Sequence, residues 1–153
     1  MSNQWINDPY LAIAQLPTGL FLMTAAFGDE RAGIICRSVV PCGIEPPLIC
    51  VVVRAGHRID PILRDSRCFA ISRVEPTERL ILHKFDPDHS DVHEPDPFDT
   101  IPYQTLCTGS PMLIQPKLVF DCEIVRHFDL ESEFELFVGE IVATRVPSTI
   151  ELA

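Results

Sequence analysis

Two apolar runs separated by a short turn, between residues 32 and 54, constrain the fold more than any other feature of the chain. The runs cover residues 32–40 and 48–53, and the turn between them is rich in proline and glycine. Apolar runs of this length, bounded by turn residues, predict two β-strands. The second run is apolar and β-branched almost throughout, which predicts a strand buried on both faces.

Short strands and brief helices are predicted along the rest of the 153-residue chain. Asp8-Pro9 and Asp60-Pro61 each place an N-cap residue before a proline at the first helical position. Several short strands with only brief helices are typical of a small β-barrel that closes its own edges. The length allows one domain with one core. The predicted strands are 18–27, 67–73, 117–127 and 134–146, and the predicted helices are 9–15, 60–64 and 77–85.

The residue pattern also predicts which face of each element is buried. In the 117–127 strand, alternation places Asp121 and Glu123 on the face opposite Phe120 and Cys122. The third helix is predicted to turn Leu80, Ile81 and Phe85 inward. In the last strand, the predicted residues of one face are Phe134, Leu136, Val138 and Val142. Gly139 in the same strand predicts a bulge or a close approach of another chain segment.

Residues 86–99 form a segment of a different kind, with six acidic residues, three prolines and no lysine or arginine. Prolines at this density exclude a regular helix or an interior strand, so a surface loop is predicted. His89 and His93 are four residues apart, a spacing that suits a metal on a helix. Because the prolines argue against that helix, the favoured interpretation is a solvated loop without a metal.

The charge distribution is uneven. The chain carries a net charge of −10, which argues against a nucleic-acid partner. Residues 31–84 nevertheless hold nine of the twelve lysines and arginines and have a net charge of +4. This concentration is compatible with an anion site, and solvated strand and helix faces are the alternative. The signature motifs of P-loop, dinucleotide-binding and serine-hydrolase sites are absent.

Six cysteines, at 36, 42, 50, 68, 107 and 122, lie within or beside apolar runs. None has the Cys-x-x-Cys spacing of a zinc site, and we interpret most of them as buried free thiols. No apolar run reaches the length of about 18–20 residues that spans a bilayer. The first residues lack the pattern of a signal peptide, so the default expectation is a cytoplasmic protein with no membrane partner.

Several short motifs follow one another in an order that is typical of one family. Between about residues 9 and 146, the chain has Pro-Thr-Gly at 17–19, Pro-Pro at 46–47, Phe-Ala-Ile-Ser at 69–72 and Gly-Ser-Pro at 109–111. In this order the chain resembles the flavin reductase-like family of FMN-binding split β-barrels. The resemblance implies a mainly β split barrel with a few short helices, one FMN per chain and a homodimer.

The same resemblance implies a set of cofactor-binding residues. Family members place two small hydroxyl residues after the ring-binding strand, where this chain has Arg37 and Ser38. A polar turn that holds the flavin phosphate corresponds to residues 54–58. No catalytic side chain is assigned, because the flavin itself carries the chemistry. The implied residues are Ile35, Cys36, Arg37, Ser38, Arg54, Gly56, His57 and Arg58.

Phe134 occupies the place where family members often carry the histidine of an Asp-His pair that handles the nicotinamide. The resemblance therefore implies that Phe134 is a substrate-binding position, and filling of the core beside Leu136 and Phe137 is the alternative. The implied activity is hydride transfer from NAD(P)H to flavin. Two other interpretations stay open: a non-enzymatic flavin carrier, sensor or electron-transfer protein, and an interaction module whose barrel is empty.

Overall fold

The computed structural model describes residues 4–88, 95–115 and 117–148. Within them lie three α-helices: α1 (Pro9–Ala14), α2 (Ile59–Ser66) and α3 (Arg79–Lys84). The strands are β1 (Phe21–Phe27), β2 (Glu30–Cys36), β3 (Ser38–Gly43), β4 (Leu48–Arg54), β5 (Cys68–Arg73), β6 (Tyr103–Gln104), β7 (Met112–Leu113), β8 (Val119–Asp129) and β9 (Phe134–Arg145). The predicted mainly β architecture with a few short helices is confirmed.

Seven strands form one antiparallel sheet in the order β2-β1-β5-β8-β9-β4-β3. Its two edge strands, β2 and β3, are joined by Arg37 alone. In a flat sheet of seven strands the edges would lie about 29 Å apart, whereas one residue between two strand ends spans at most about 7 Å. The sheet must therefore curl until its edges meet, and β2 does contact β4 across this seam.

The prediction of one continuous strand over residues 32–40 is wrong, because the chain forms two strands that meet at Arg37, the seam of the barrel. The strand breaks at Arg37, whose carbonyl accepts a hydrogen bond of 2.9 Å from the Gly19 N–H. Before the break, Cys36 pairs with Phe21 in β1, and after it Ser38 pairs with Val52 in β4. The sequence pattern did not reveal this break, because β2 and β3 both place apolar residues against the core.

Burial of β4 on both faces was predicted, and that prediction is wrong. Ile49, Val51 and Val53 are buried, while Cys50 and Val52 are only half-buried. The first set belongs to the main core, together with residues of β1, β2, β5 and α2. The other face of β4 has no covering layer within the part of the chain described here.

In β9, the face that was predicted to carry Phe134, Leu136 and Val138 together is less buried than the opposite face. Phe134 is exposed and Leu136 is half-buried, whereas Glu135 and Phe137 are buried. A charged residue can occupy the core face here because Glu135 Oε1 accepts from Arg64 Nη2 at 2.7 Å. Burial and the neighbouring Asp60 raise the pKa of Glu135. Hydropathy alone could not identify this face, because the ion pair comes from the distant helix α2.

Gly139 marks a close approach, as the sequence predicted. A Cβ atom at this position would lie 2.5 Å from Phe69 Cζ and 2.8 Å from Cys122 Cβ. Distances this short are not tolerated between carbon atoms, so only glycine allows β5, β8 and β9 to pack as they do.

Asp121 is buried, although alternation placed it on the solvent face. Its side chain does lie on the face opposite Cys122 and Ile124, which belong to the main core, but the chain between β6 and β7 covers it there. The carboxylate accepts hydrogen bonds from the Cys107 and Thr108 N–H groups at 2.7 and 2.9 Å. Asp121 thus fixes the chain between β6 and β7 to the barrel.

The helix predictions are confirmed in number and approximate place. Asp8 caps α1 by accepting from the Tyr10 N–H at 3.0 Å. The predicted N-cap at Asp60 is wrong, because α2 begins at Ile59 and Asp60 lies within its first turn. Leu80 is exposed rather than turned inward. The predicted inward positions of Ile81 and Phe85 are confirmed, since Phe85 is buried and Ile81 packs against the same cluster. Among the described residues, no helix is long and apolar enough to cross a membrane.

Candidate functional site

A cavity of about 570 Å³ opens at the seam of the barrel. The β2–β3 corner forms one wall, and the adjoining ends of β4 and β9 form another. The rest of the lining comes from Ile13 in α1, Thr18 after it, Leu82 in α3 and residues 86–88 after α3. Because β2 and β3 are the two edges of the sheet, residues far apart in the strand order meet only here.

Six of the nine residues implied by the resemblance line this cavity together: Ile35, Cys36, Arg37, Ser38, Arg54 and Phe134. Gly56, His57 and Arg58 are not part of its lining. Arg58 lines a separate groove of about 430 Å³ with Asp29 and Glu30. The predicted phosphate-binding turn thus contributes Arg54 to the cavity and Arg58 to the groove.

The wall of the cavity nearest the core is apolar. Ile35 is buried, and its N–H donates to the Phe85 carbonyl at 2.9 Å, which fixes the strand against the end of α3. Cys36 is buried too, and burial raises the pKa of its thiol to about 12. The thiol is therefore protonated at neutral pH and contributes an apolar surface rather than a nucleophile. The half-buried Val52 extends this wall from β4.

Charged groups occur at the opening of the cavity. Arg37 and Arg54 supply two cations, and Asp86 and Asp88 supply two carboxylates. Arg54 Nη1 lies 3.1 Å from Asp88 Oδ1, and the two side chains are 48% and 75% exposed. The opening is therefore charged but close to neutral in sum.

His57 has a structural position just outside the cavity. It is buried, and its Nδ1 accepts from the Ile59 N–H at 3.1 Å, which caps the first turn of α2. Burial and the positive charge of Arg58 lower the pKa of His57 to about 4. The ring is neutral at pH 7 and serves as a hydrogen-bond acceptor. Gly56 has a φ of +78°, which lets the chain turn from β4 towards this cap.

Phe134 lies at the cavity opening opposite Arg54, its register partner in β4. Its side chain is 43% exposed, so Phe134 does not fill the core beside Phe137. An exposed aromatic ring at the edge of a cavity can cover a planar ligand by stacking.

Sequence reasoning missed several residues of the lining. Thr18 and Ile13 come from the N-terminal segment, and Asp86 and Asp88 come from the start of the acidic loop. The composition identified the acidic loop as a surface segment, but nothing in it indicated a position opposite Arg54. His89 and His93 lie outside the described residues. No group of three or more potential metal ligands occurs among the residues that the structure describes.

The chain belongs to the flavin reductase like domain family, whose model matches residues 13–153. The family supports a flavin as the ligand of this cavity.

Individual relatives agree with the family. Diflavin flavoproteins A 2 and A 1 of Synechocystis sp. are 28% and 23% identical over 129 and 136 residues, which is 80% and 86% of this chain. The chain spans only 21% and 23% of their lengths.

Solved structures share the fold. The NADH:FAD oxidoreductase SgcE6 of Streptomyces globisporus superimposes with a TM-score of 0.80 at 22% identity, over 96% of this chain and 90% of its own. An FMN-binding protein of Thermus thermophilus also gives 0.80, at 19% identity, over 97% and 82%.

The residues present fit a flavin that carries a phosphate. The cavity volume falls within the range of small-molecule sites, about 300–1,000 Å³. Its apolar wall can accept a flat ring system, and the Ser38 and Thr18 hydroxyls lie along the lining for a polyol chain. The guanidinium groups of Arg37 and Arg54 have the charge and the hydrogen-bond donors that a phosphate would need.

His57 generates a prediction about stability at acid pH. In the unfolded chain its pKa is about 6.5, and in the folded protein about 4, so the unfolded state binds the proton more readily. Stability is therefore retained above pH 6.5 and falls as the pH drops towards 4, by about 3 kcal/mol at most. His57→Asn keeps an acceptor for the Ile59 N–H and should reduce this acid-side loss, as measured by denaturant unfolding at several pH values.

His57→Gln is the companion variant, because its longer side chain removes the titrating ring without placing an acceptor where Nδ1 lies. It should show the same flattened pH dependence but a lower stability at pH 7. Equal pH slopes for the wild type and His57→Asn would contradict the prediction.

Proposed function

We propose that the protein is an FMN-binding oxidoreductase that transfers hydride from NAD(P)H to flavin. The observation that carries the proposal is the seam cavity, where an apolar wall and two arginines meet in a chain of the flavin reductase like family. When bound, the flavin supplies the redox chemistry by accepting a hydride. The residues of the chain bind the flavin, orient it and limit access of water to it.

The apolar wall carries the first part of this role. Ile35 and Cys36 are held rigidly by the β1–β2 pairing and by the Ile35 hydrogen bond to Phe85. A rigid apolar wall can hold a flat ring system in one orientation at little entropic cost. We therefore assign Ile35 and Cys36 to the ring system and the Ser38 hydroxyl to the ribityl chain.

The phosphate end is assigned to Arg54 and Arg37. Both guanidinium groups line the cavity, and an arginine can hold a phosphate by two parallel hydrogen bonds. Gly56 and His57 support this end by shaping the turn that follows Arg54. Arg58 lies in the neighbouring groove, where its Nη2 donates to the Arg31 carbonyl at 3.4 Å, so its assignment to the phosphate stays a prediction.

The assignment predicts a preference for FMN over riboflavin. Arg54→Met should weaken FMN binding by roughly 1–2 kcal/mol, because one charge-assisted contact of a half-exposed guanidinium is lost. Riboflavin lacks the phosphate, and its affinity should hardly change. Fluorescence or calorimetric titration with both ligands measures the two effects.

Arg58→Met serves as the comparison, since it removes an equal charge from the neighbouring groove and tests the assignment of Arg58 to the phosphate. A larger loss of FMN affinity in Arg58→Met than in Arg54→Met would favour Arg58 as the phosphate ligand. Equal affinities of the wild type for FMN and riboflavin would exclude a phosphate site.

A second copy of the chain is proposed to complete the site. The outward face of the β3, β4, β9 and β8 strands carries six apolar residues in two cross-strand rows, one of which begins at Ser38 and the other of which ends at Arg126. We call this face the outer apolar surface; its residues are Val40, Cys50, Val52, Phe128, Leu136 and Val138. None is fully buried, and Val52 also lines the cavity. A surface that is continuous with the cavity wall is suited to a two-fold symmetric homodimer with a site at each end.

The N-terminal segment supports the same proposal. Helix α1 has no buried residue, yet Tyr10, Leu11 and Ile13 are apolar and exposed, as are Trp5 and Ile6 before it. A helix of six residues is not stable without tertiary contacts. A partner subunit would provide the surface that this segment lacks.

Val40→Glu is predicted to dissociate the dimer, because it places an unpaired charge in an apolar interface. Val40 is 53% exposed in the single chain, so the substitution should not disturb the monomer fold. Sedimentation velocity at micromolar concentration should show a dimer for the wild type and a monomer for the variant. Phe27→Glu is the matched control, because Phe27 is also 53% exposed but lies at the β1–β2 turn. A wild type that sediments as a monomer with flavin bound would contradict the prediction.

Phe134 is proposed to contact the nicotinamide. Its ring can stack on a nicotinamide but cannot donate a hydrogen bond to it. Slow flavin reduction with a weak apparent affinity for NAD(P)H is therefore expected. Phe134→His should lower the apparent KM for the donor and leave FMN binding nearly unchanged, as measured by stopped-flow reduction.

Phe27→His is the control for a new histidine at an exposed position far from the cavity. An unchanged or higher KM in Phe134→His, with an unchanged melting temperature, would remove Phe134 from the donor site. Bound flavin that neither NADH nor NADPH bleaches would instead favour the non-enzymatic alternative, a carrier, sensor or electron-transfer protein.

A further inference from the structure

Asp88 forms an ion pair with Arg54, the cation that the proposed function assigns to the flavin phosphate. Asp88 Oδ1 lies 3.1 Å from Arg54 Nη1, and both residues line the seam cavity. The carboxylate therefore takes up the place beside the guanidinium that a phosphate oxygen would otherwise take.

The backbone before Asp88 is anchored in a way that directs it towards Arg54. Phe85 is buried, and its carbonyl accepts from Ile35 N at 2.9 Å, so the end of α3 is fixed against β2. Asp86 Oδ1 then accepts from the Asp88 N–H at 2.9 Å and bends the chain at Pro87. Asp88 follows this turn and lies across the cavity opening from β2. Its contact with Arg54 is thus the result of two successive local constraints.

We propose that Asp88 is an intramolecular competitor of the flavin phosphate, a specificity residue that holds Arg54 in the ligand-free protein and is displaced when the phosphate binds. This inference rests on the proposed function. A carboxylate and a phosphate are both oxyanions that hydrogen-bond to a guanidinium. Close together they repel each other, so the site favours one of them at Arg54 at a time.

The exposure of the pair decides how strongly it competes. Arg54 and Asp88 are 48% and 75% exposed, and ion pairs in such positions contribute little to stability. The phosphate can therefore displace Asp88 readily. The competition should reduce the affinity for FMN about two- to fivefold, the range that weak surface pairs provide, and should leave riboflavin unaffected. Asp88 thereby sets how strongly the site prefers a phosphorylated flavin.

The test compares Asp88→Asn with the wild type by titration with FMN and with riboflavin. Asparagine keeps the size of the side chain but removes its charge, so FMN should bind about two- to fivefold more tightly and riboflavin equally well. The gain should shrink at about 0.5 M salt, because exposed charges are screened. Glu75→Gln is the matched control, since Glu75 forms an exposed ion pair of 3.8 Å with Arg73 elsewhere on the surface.

A double-mutant cycle with Arg54→Met separates competition at Arg54 from a general charge effect. If Asp88 acts by holding Arg54, the gain from Asp88→Asn should largely vanish in the Arg54→Met background. A gain of the same size in that background, or in Glu75→Gln, would overturn the proposal. So would an Asp88→Asn variant whose ratio of FMN to riboflavin affinity equals that of the wild type. Failure of the wild type to bind any flavin would instead refute the proposed function, and this inference with it.

Discussion

The closure of the sheet at Arg37 is the constraint on which the rest of the structure depends. The two edge strands of a seven-stranded sheet are consecutive in the chain and separated by a single residue. Such a connection is possible only if the sheet curls through a full turn. The cavity is a consequence of this closure, because the seam is where β2 leaves its pairing with β1 and β3 begins its pairing with β4.

The placement of charge around the cavity follows from the same closure. Arg54 ends β4 beside the seam. Phe85, the residue that follows α3, packs where Gly33 leaves room for it: a Cβ at Gly33 would lie 2.7 Å from Phe85 Cδ1. Asp88 follows directly and meets Arg54. A cation and a carboxylate that are 34 positions apart in the sequence thus share one opening, and their attraction is weak because both remain in contact with water.

The inner face of the sheet is buried in the core, whereas much of its outer face is exposed. Glu135 is buried on the core side, where Arg64 and His127 both contact its carboxylate. The outer apolar surface and α1 lack comparable cover among the described residues. The proposed flavin site is lined in part by this exposed surface, which is the physical reason for the proposal that a second chain covers it.

The sequence by itself determined the mainly β class and the approximate positions of the helices, because alternation, caps and turn residues are local signals. Its resemblance to the flavin reductase-like family implied six of the residues that line the cavity. Tertiary structure alone decided the break at Arg37, the buried face of β9 and the burial of Asp121. Each depends on a partner in another part of the chain: β4 for Arg37, α2 for Glu135, and the Cys107 and Thr108 N–H groups for Asp121. The same holds for Asp88, because no local pattern can indicate which cation a loop carboxylate meets across a closed barrel.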